Sequence, residues 1–295
     1  MSPAAQTSHS EVGKVPMMSQ VVSIARDALR TVRTNKRWWV LGFFVAASSG
    51  SGGGEWRADP EAATGTLEPW MIAAMLVALL LGAIFFAVQL VAEGALVEAV
   101  REERRGQQET LRASWSRGPR HALRLAGLQL VTLGAVSLTL LIAAAPAIGA
   151  AVGLLPWAVG IGLSVPLGLI AVPTVISLSV AREVGTRMVV LESRGPVDAL
   201  RAGLRFLRGR LPLALMLLIA DGLAQAAVMS VGLLLVAPGV AVAAALYFGL
   251  GLVGPAIAVG LVLAVPPVIA AVGARGTFHS ALWTHAFLDE RPALS

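Results

Sequence analysis

The chain has 295 residues, 56% of them hydrophobic and only 14% charged, with a mean hydropathy of +0.77 and a net charge of +6. Soluble domains carry roughly 25% charged residues, so a large soluble core is excluded and an all-α, polytopic membrane protein is expected. The absence of cysteine excludes thiolate metal sites, catalytic thiols and disulfides.

Residues 1–16 are polar and lack the apolar stretch of a secretory signal. A disordered tail is expected there, followed by a single integral membrane domain over 17–295. In residues 17–37, Val21, Ala25, Ala28 and Val32 recur on one helical face. Arg26, Arg30, Arg33 and Arg37 recur on another, which predicts a basic amphipathic helix at the lipid headgroups. Trp38 and Trp39 open the first apolar run, 36–49, which is short against the ~20 residues a span needs. It either borrows its basic flank as helix or re-enters the membrane.

Residues 48–68 read as an outer Gly/Ser-rich loop with Glu55, Asp59, Glu61 and Glu68 against Arg57. Further spans are predicted at 70–92, 123–146 and 157–180. A basic connection covers 101–124, helical over 107–116, and an uncharged turn separates the fourth span from the third. Residues 195–210 again pair an apolar stripe, Val197, Leu200, Leu204, Leu207 and Leu211, with Asp198, Arg201, Arg205 and Arg208 one residue on. Spans at 212–236 and 250–272 follow, joined by an uncharged stretch from Pro238-Gly239. The tail from Gly273 carries Trp283 and two histidines, and the histidines, His279 and His285, are expected at the headgroup surface.

Of the 23 Lys and Arg residues, 22 fall before Trp38, in the two basic connections or in the C-terminal tail. Such a distribution predicts six spans in the cytoplasmic membrane with both termini cytoplasmic. Because the charges flank apolar runs, anionic lipids are the expected partners and nucleic acid is not. The sequence leaves open a homo-oligomer or another membrane protein as partner.

A repeat is also legible. Ala145-Pro146 to Val172-Pro173 matches Ala237-Pro238 to Val265-Pro266, and Gly185-Thr186 matches Gly276-Thr277, with Gly94-Ala95 in the equivalent earlier place. Three copies of a basic helix plus a membrane hairpin, all in one orientation, would give this pattern.

Few motifs carry chemistry. Gly249, Gly251 and Gly254 fit G-x-G-x-x-G, but in an apolar run with no acidic residue before Asp289. Gly149 and Gly153 are spaced for close helix packing. His9, His121, His279 and His285 have no metal-ligand spacing, and no hydrolase or zinc-protease motif is present. No cofactor or catalytic residue is therefore expected. Ser137, Ser164, Ser177 and Ser230 are expected to bond backbone carbonyls or pack across helices.

Asp221 is the most informative residue. Counted from the start of the fifth span it lies about 13 Å deep, where a carboxylate costs roughly 2.5–3.5 kcal/mol. Gln225 follows one turn on, and Gln129 and Gln89 are the polar candidates of other spans. Such a group either lines a wet functional site or bonds a neighbouring helix.

The segments N-K-R-W-W, G-A-L-V-E-A-V, L-R-A-S-W, V-D-A-L-R-A-G-L-R-F-L-R-G-R and G-T-F-H-S-A-L-W-T-H-A-F occur in this order. Their layout resembles a broad prokaryotic six-helix family related to the membrane domain of glycerophosphoryl diester phosphodiesterases. The resemblance implies a membrane bundle and no activity, because no stretch outside the spans could hold the catalytic barrel of about 250 residues. Two readings follow: a non-enzymatic scaffold, accessory or lipid-interacting module, or a transporter for a small solute or lipid with a site near Asp221.

Overall fold

In the computed structural model, residues 17–48, 68–107 and 110–290 are described. The expected N-terminal tail, nearly all of the Gly/Ser-rich loop and the last five residues lie outside them. Every regular element among the described residues is helical: α1 (Met17–Thr34), a 3-10 turn (Lys36–Trp38), α2 (Trp39–Ser48), α3 (Pro69–Arg104), α4 (Leu111–Arg117), α5 (Pro119–Ala151), α6 (Trp157–Glu192), α7 (Pro196–Gly209), α8 (Leu211–Ala244, extended by a π-helical turn, Ala245–Gly249) and α9 (Val253–Glu290).

Five helices, α3, α5, α6, α8 and α9, are long and apolar enough to cross a membrane. The first apolar segment differs from the expectation. Its helix, α2, has 10 residues, about 15 Å at 1.5 Å per residue, half a hydrocarbon core. It does not borrow the basic flank, because Asn35 and the turn at Lys36–Trp38 separate it from α1. Trp38 is buried there, and the Trp39 indole donates to the Val32 carbonyl at 3.1 Å, which fixes the break.

The long helices also overrun their predicted ends. Pro146, Pro166, Pro173, Pro238, Pro266 and Pro267 all lie inside helices, where membrane helices tolerate them. The uncharged stretches thus shrink to short turns after Ala151 and Gly249. Gly249 to Gly254 joins two helices, with Gly251 in the left-handed region at φ 66°, and is not the strand-to-helix turn of a dinucleotide site. At the other end, α6 runs to Glu192 and α9 to Glu290, so the predicted C-terminal tail is helix.

Burial divides each returning helix in two. The first half of α3, α6 and α9 exposes residues such as Leu79, Leu80, Leu169, Ile170, Leu261 and Val262 as an apolar belt. Apart from Gly160, Ala171 and Ala256, the buried residues of these helices run from Gln89, Leu178 and Gly273 respectively to near each C-terminus. The hydrophobic core therefore sits beside the belt, at the end of the bundle that carries the arginines.

Three units of short helix plus hairpin build that core. Gly94, Gly185 and Gly276 recur every 91 residues in α3, α6 and α9. Each returning helix packs on the short helix opening the next unit: α3 on α4, α6 on α7, and α9 on α1. The last contact closes the ring. Backbones approach closely where glycine permits it, Gly203 against the Ala181 carbonyl, Gly118 against Val91, and Gly276 against Gly42.

The short helices are two-faced, though not on quite the predicted stripes. In α1, Val21, Ile24, Ala28, Thr31 and Val32 are buried, and Ala25 only partly so. In α7 the buried face is Ala199, Leu200, Ala202, Gly203, Phe206 and Leu207, while Val197 is exposed. Contact of Gly203 with α6 turns the face about one residue from the expected leucine stripe.

Candidate functional site

The three polar residues singled out from the spans each have a partner on a returning helix. Asp221 on α8 accepts from His279 Nδ1 on α9, with both carboxylate oxygens at 3.0 Å. Gln225, one turn further along α8, accepts from Arg275 Nη2 at 2.7 Å. Gln129 on α5 accepts from Arg182 Nη1 at 2.7 Å. Gln89 on α3 is buried.

The Asp221 and Gln129 contacts meet in one array centred on Glu183, and the Gln225–Arg275 pair stands beside it. Glu183 Oε2 lies 3.0 Å from His279 Nε2 and accepts from Arg187 Nη1 at 2.6 Å, and its Oε1 accepts from Arg182 Nη2 at 2.6 Å. Arg187 Nη1 also donates to the Glu183 carbonyl at 2.7 Å, one helical turn back. The order Gln129, Arg182, Glu183, His279, Asp221 thus runs from α5 through α6 and α9 to α8. Glu93 on α3, itself buried, adds its charge to Arg182 from the first unit.

Arg187 is 1% exposed and Glu183 8%. A charge so buried requires compensation. The array supplies it: Arg182, Arg187 and His279 stand against Glu93, Glu183 and Asp221. Where both carboxylates are ionised they only accept, and the ring between them carries hydrogen on each nitrogen. His279 then has no free lone pair with which to act as a base on another molecule.

The overrun of the helices sets the surroundings of this site. Leu213, Ala214 and Leu217 of α8 are buried in the core, so the turns before Asp221 belong to the basic end. Asp221 lies level with His279 and Glu183, where the core meets the apolar belt. The partners Arg182, Glu183, Arg187, Arg275 and His279 lie beyond the predicted span ends, in the stretches expected as connection or tail. Glu183 and Arg187 are four residues apart on one helical face, and no helix breaker occurs before Ser193-Arg194-Gly195-Pro196. That signal marks a continuing helix.

His279 and His285 are not at an open headgroup surface. His279 is partly buried in the array, and His285 is 7% exposed. Of the serines, Ser177 and Ser230 donate to the Pro173 and Ala226 carbonyls, whereas Ser164 Oγ is buried with no protein partner.

Polar contacts also fasten α1. Thr31 and Asn35 donate to Glu103 at 2.8 and 2.6 Å, and Gln20 donates to Glu290 at 2.8 Å. Glu290 also pairs with Arg210 after α7, and Arg104 pairs with Asp289. His121 and Glu98 pair at 2.9 Å between α5 and α3. Among the described residues no three His, Asp or Glu side chains could hold a metal ion. The predicted headgroup arginines, Arg26, Arg30, Arg33, Arg37, Arg201, Arg205 and Arg208, are all exposed.

No curated protein and no solved structure matches the chain. One family model matches residues 18–288, from the first turn of α1 almost to the end of α9 and across all three units. The protein is thus a multi-helix membrane protein that belongs to a family of unknown function, DUF7544.

Proposed function

We propose that this protein is a non-enzymatic scaffold or accessory module of the cytoplasmic membrane that gathers anionic lipids around its basic end. The carrying observation is the set of seven exposed arginines on α1, the turn after it, and α7. The opposite faces of both helices are buried against returning helices, so the charges are held in place. Arg201, Arg205 and Arg208 line an open recess of about 500 Å³ with Asp198 and Leu204. Asp198 lies 3.9 Å from Arg201, both largely exposed, and such a pair contributes little. An anionic leaflet attracts basic segments of this kind. The Lys and Arg distribution supports a cytoplasmic basic end and cytoplasmic termini. The order of the segments resembles that of the membrane domain of glycerophosphoryl diester phosphodiesterases, which is in keeping with this reading.

The transporter reading would require Asp221 to face a path for solute. Its bonds to His279, and the charge balance of the array behind it, favour the scaffold.

The test is lipid retention. With Arg201, Arg205 and Arg208 changed together to Gln, each lost charge should lower anionic-lipid binding roughly fivefold. Native mass spectrometry after extraction from membranes rich in phosphatidylglycerol reads this. Retention equal to wild type would contradict the proposal.

A further inference from the structure

A groove of about 500 Å³ runs between α2, α8 and α9. Its size falls within the roughly 300–1,000 Å³ of ligand pockets. Phe43 and Ala47 form one wall, Gly232 and Leu233 a second, and Val268 and Ala271 the third. Gly232 and Ala271 keep it open: a Cβ built on Gly232 would meet only the Ala271 methyl, at 3.7 Å.

The polar end of the groove is Arg275. Its Nη2 donates to Gln225, a neutral acceptor, and its Nε is buried with no protein partner. No carboxylate pairs with it among the described residues. Arg182 makes the corresponding bond to Gln129 in the preceding hairpin, and there Glu183 neutralises it. The α8–α9 hairpin thus repeats the Arg–Gln pairing and omits the anion. A guanidinium facing an apolar groove without a counter-charge is costly unless an anion meets it. Its fork suits phosphate or carboxylate oxygens.

The groove has the direction a lipid needs. Arg275 lies where burial begins on α9, at the basic end, and the walls run from there into the exposed apolar belt. From Gln225 to Val236, α8 rises about 16 Å, a length that takes most of one acyl chain.

We propose that this groove binds one anionic phospholipid, with its phosphate on Arg275 and one acyl chain along Gly232, Leu233, Val268 and Ala271. The site is separate from the α7 recess. It needs only that the chain lies in a membrane, so it can stand if the α7 proposal falls.

The experiment is native mass spectrometry of the whole protein, delipidated in detergent and titrated with phosphatidylglycerol or phosphatidylcholine of the same chains. Wild type should bind one phosphatidylglycerol beyond those that depend on Arg201, Arg205 and Arg208, with a preference of roughly fivefold. Arg275→Gln should lose the preference and still bind either lipid weakly, while Arg275→Lys keeps most of it. Ala271→Phe should block both lipids. The Arg201/Arg205/Arg208→Gln protein should keep the single site. Wild-type preference persisting in Arg275→Gln would overturn the proposal, as would unchanged binding in Ala271→Phe. Dimerisation lost in Ala271→Phe, with no lipid bound to wild type, would assign the groove to a second copy instead and overturn it equally.

Discussion

Glu183→Ala should be among the most damaging single substitutions in the chain. Arg182, Arg187 and His279 all bond this carboxylate, and Arg187 has almost no solvent to turn to. Removing one partner of a buried ion pair costs about 3–5 kcal/mol, because the remaining charge is left uncompensated. Here two guanidinium groups and an imidazole would face one another with only Glu93 and Asp221 in reach. The thermal midpoint in detergent should fall far below wild type, or the protein should be recovered only as aggregate. Glu183→Gln keeps an acceptor and should cost less. The test of mechanism is Glu183→Ala combined with Arg187→Met. If uncompensated charge is the cause, the second change restores part of the loss, since apolar replacement of a buried pair is often neutral. Additive losses would point instead to packing.

The second large effect is expected at Gly276. A Cβ there would collide with the carbonyl and Cα of Gly42, and a neighbouring one at Gly273 with the Trp39 carbonyl. The obstructing atoms are backbone, so no side chain can swing aside. Gly276→Ala must push α2 away from α9, breaking the 3.1 Å bond from Thr277 Oγ1 to the Trp38 carbonyl. Overpacking costs typically about 1–3 kcal/mol, and a backbone collision places this site at or above the upper end. Gly222 is the control, because nothing lies within 4 Å of a Cβ there. Gly222→Ala should stabilise helix α8 by up to about 1 kcal/mol. Thermal melts of the two variants side by side separate the effects, and equal midpoints would refute the close-packing account of ring closure.

Composition, periodicity and charge placement were enough to read the helical membrane architecture, the short helices and the threefold recurrence. Asp221, Gln225 and Gln129 stood out because a polar side chain in an apolar run needs a partner. What the sequence hid was where those partners lay. Hydropathy ends a span at the first charges, so Arg182 and Glu183 after Val180 are expected in a connection, and Arg275 after Val272 in the tail. In the folded chain the same helices continue for several turns into a protein core, where charge is neutralised by charge rather than by water. A hydropathy window cannot distinguish these outcomes, whereas the Glu183–Arg187 spacing can. The break before α2 was hidden for a related reason. It depends on Trp38 finding a buried site on other helices, and no local signal at Asn35 records that.

In the proposed scaffold, Asp221 and its neighbours clasp helices together and do not form a transport site. A double-mutant cycle on Asp221→Ala and His279→Ala, read as thermal stability in one detergent, tests it most directly. The account predicts that each single change is destabilising and that the double is little worse than the more severe single, a coupling of about 1 kcal/mol or more. Singles that leave stability unchanged, or losses that simply add, would contradict it and return Asp221 to the candidates for a solute-binding residue.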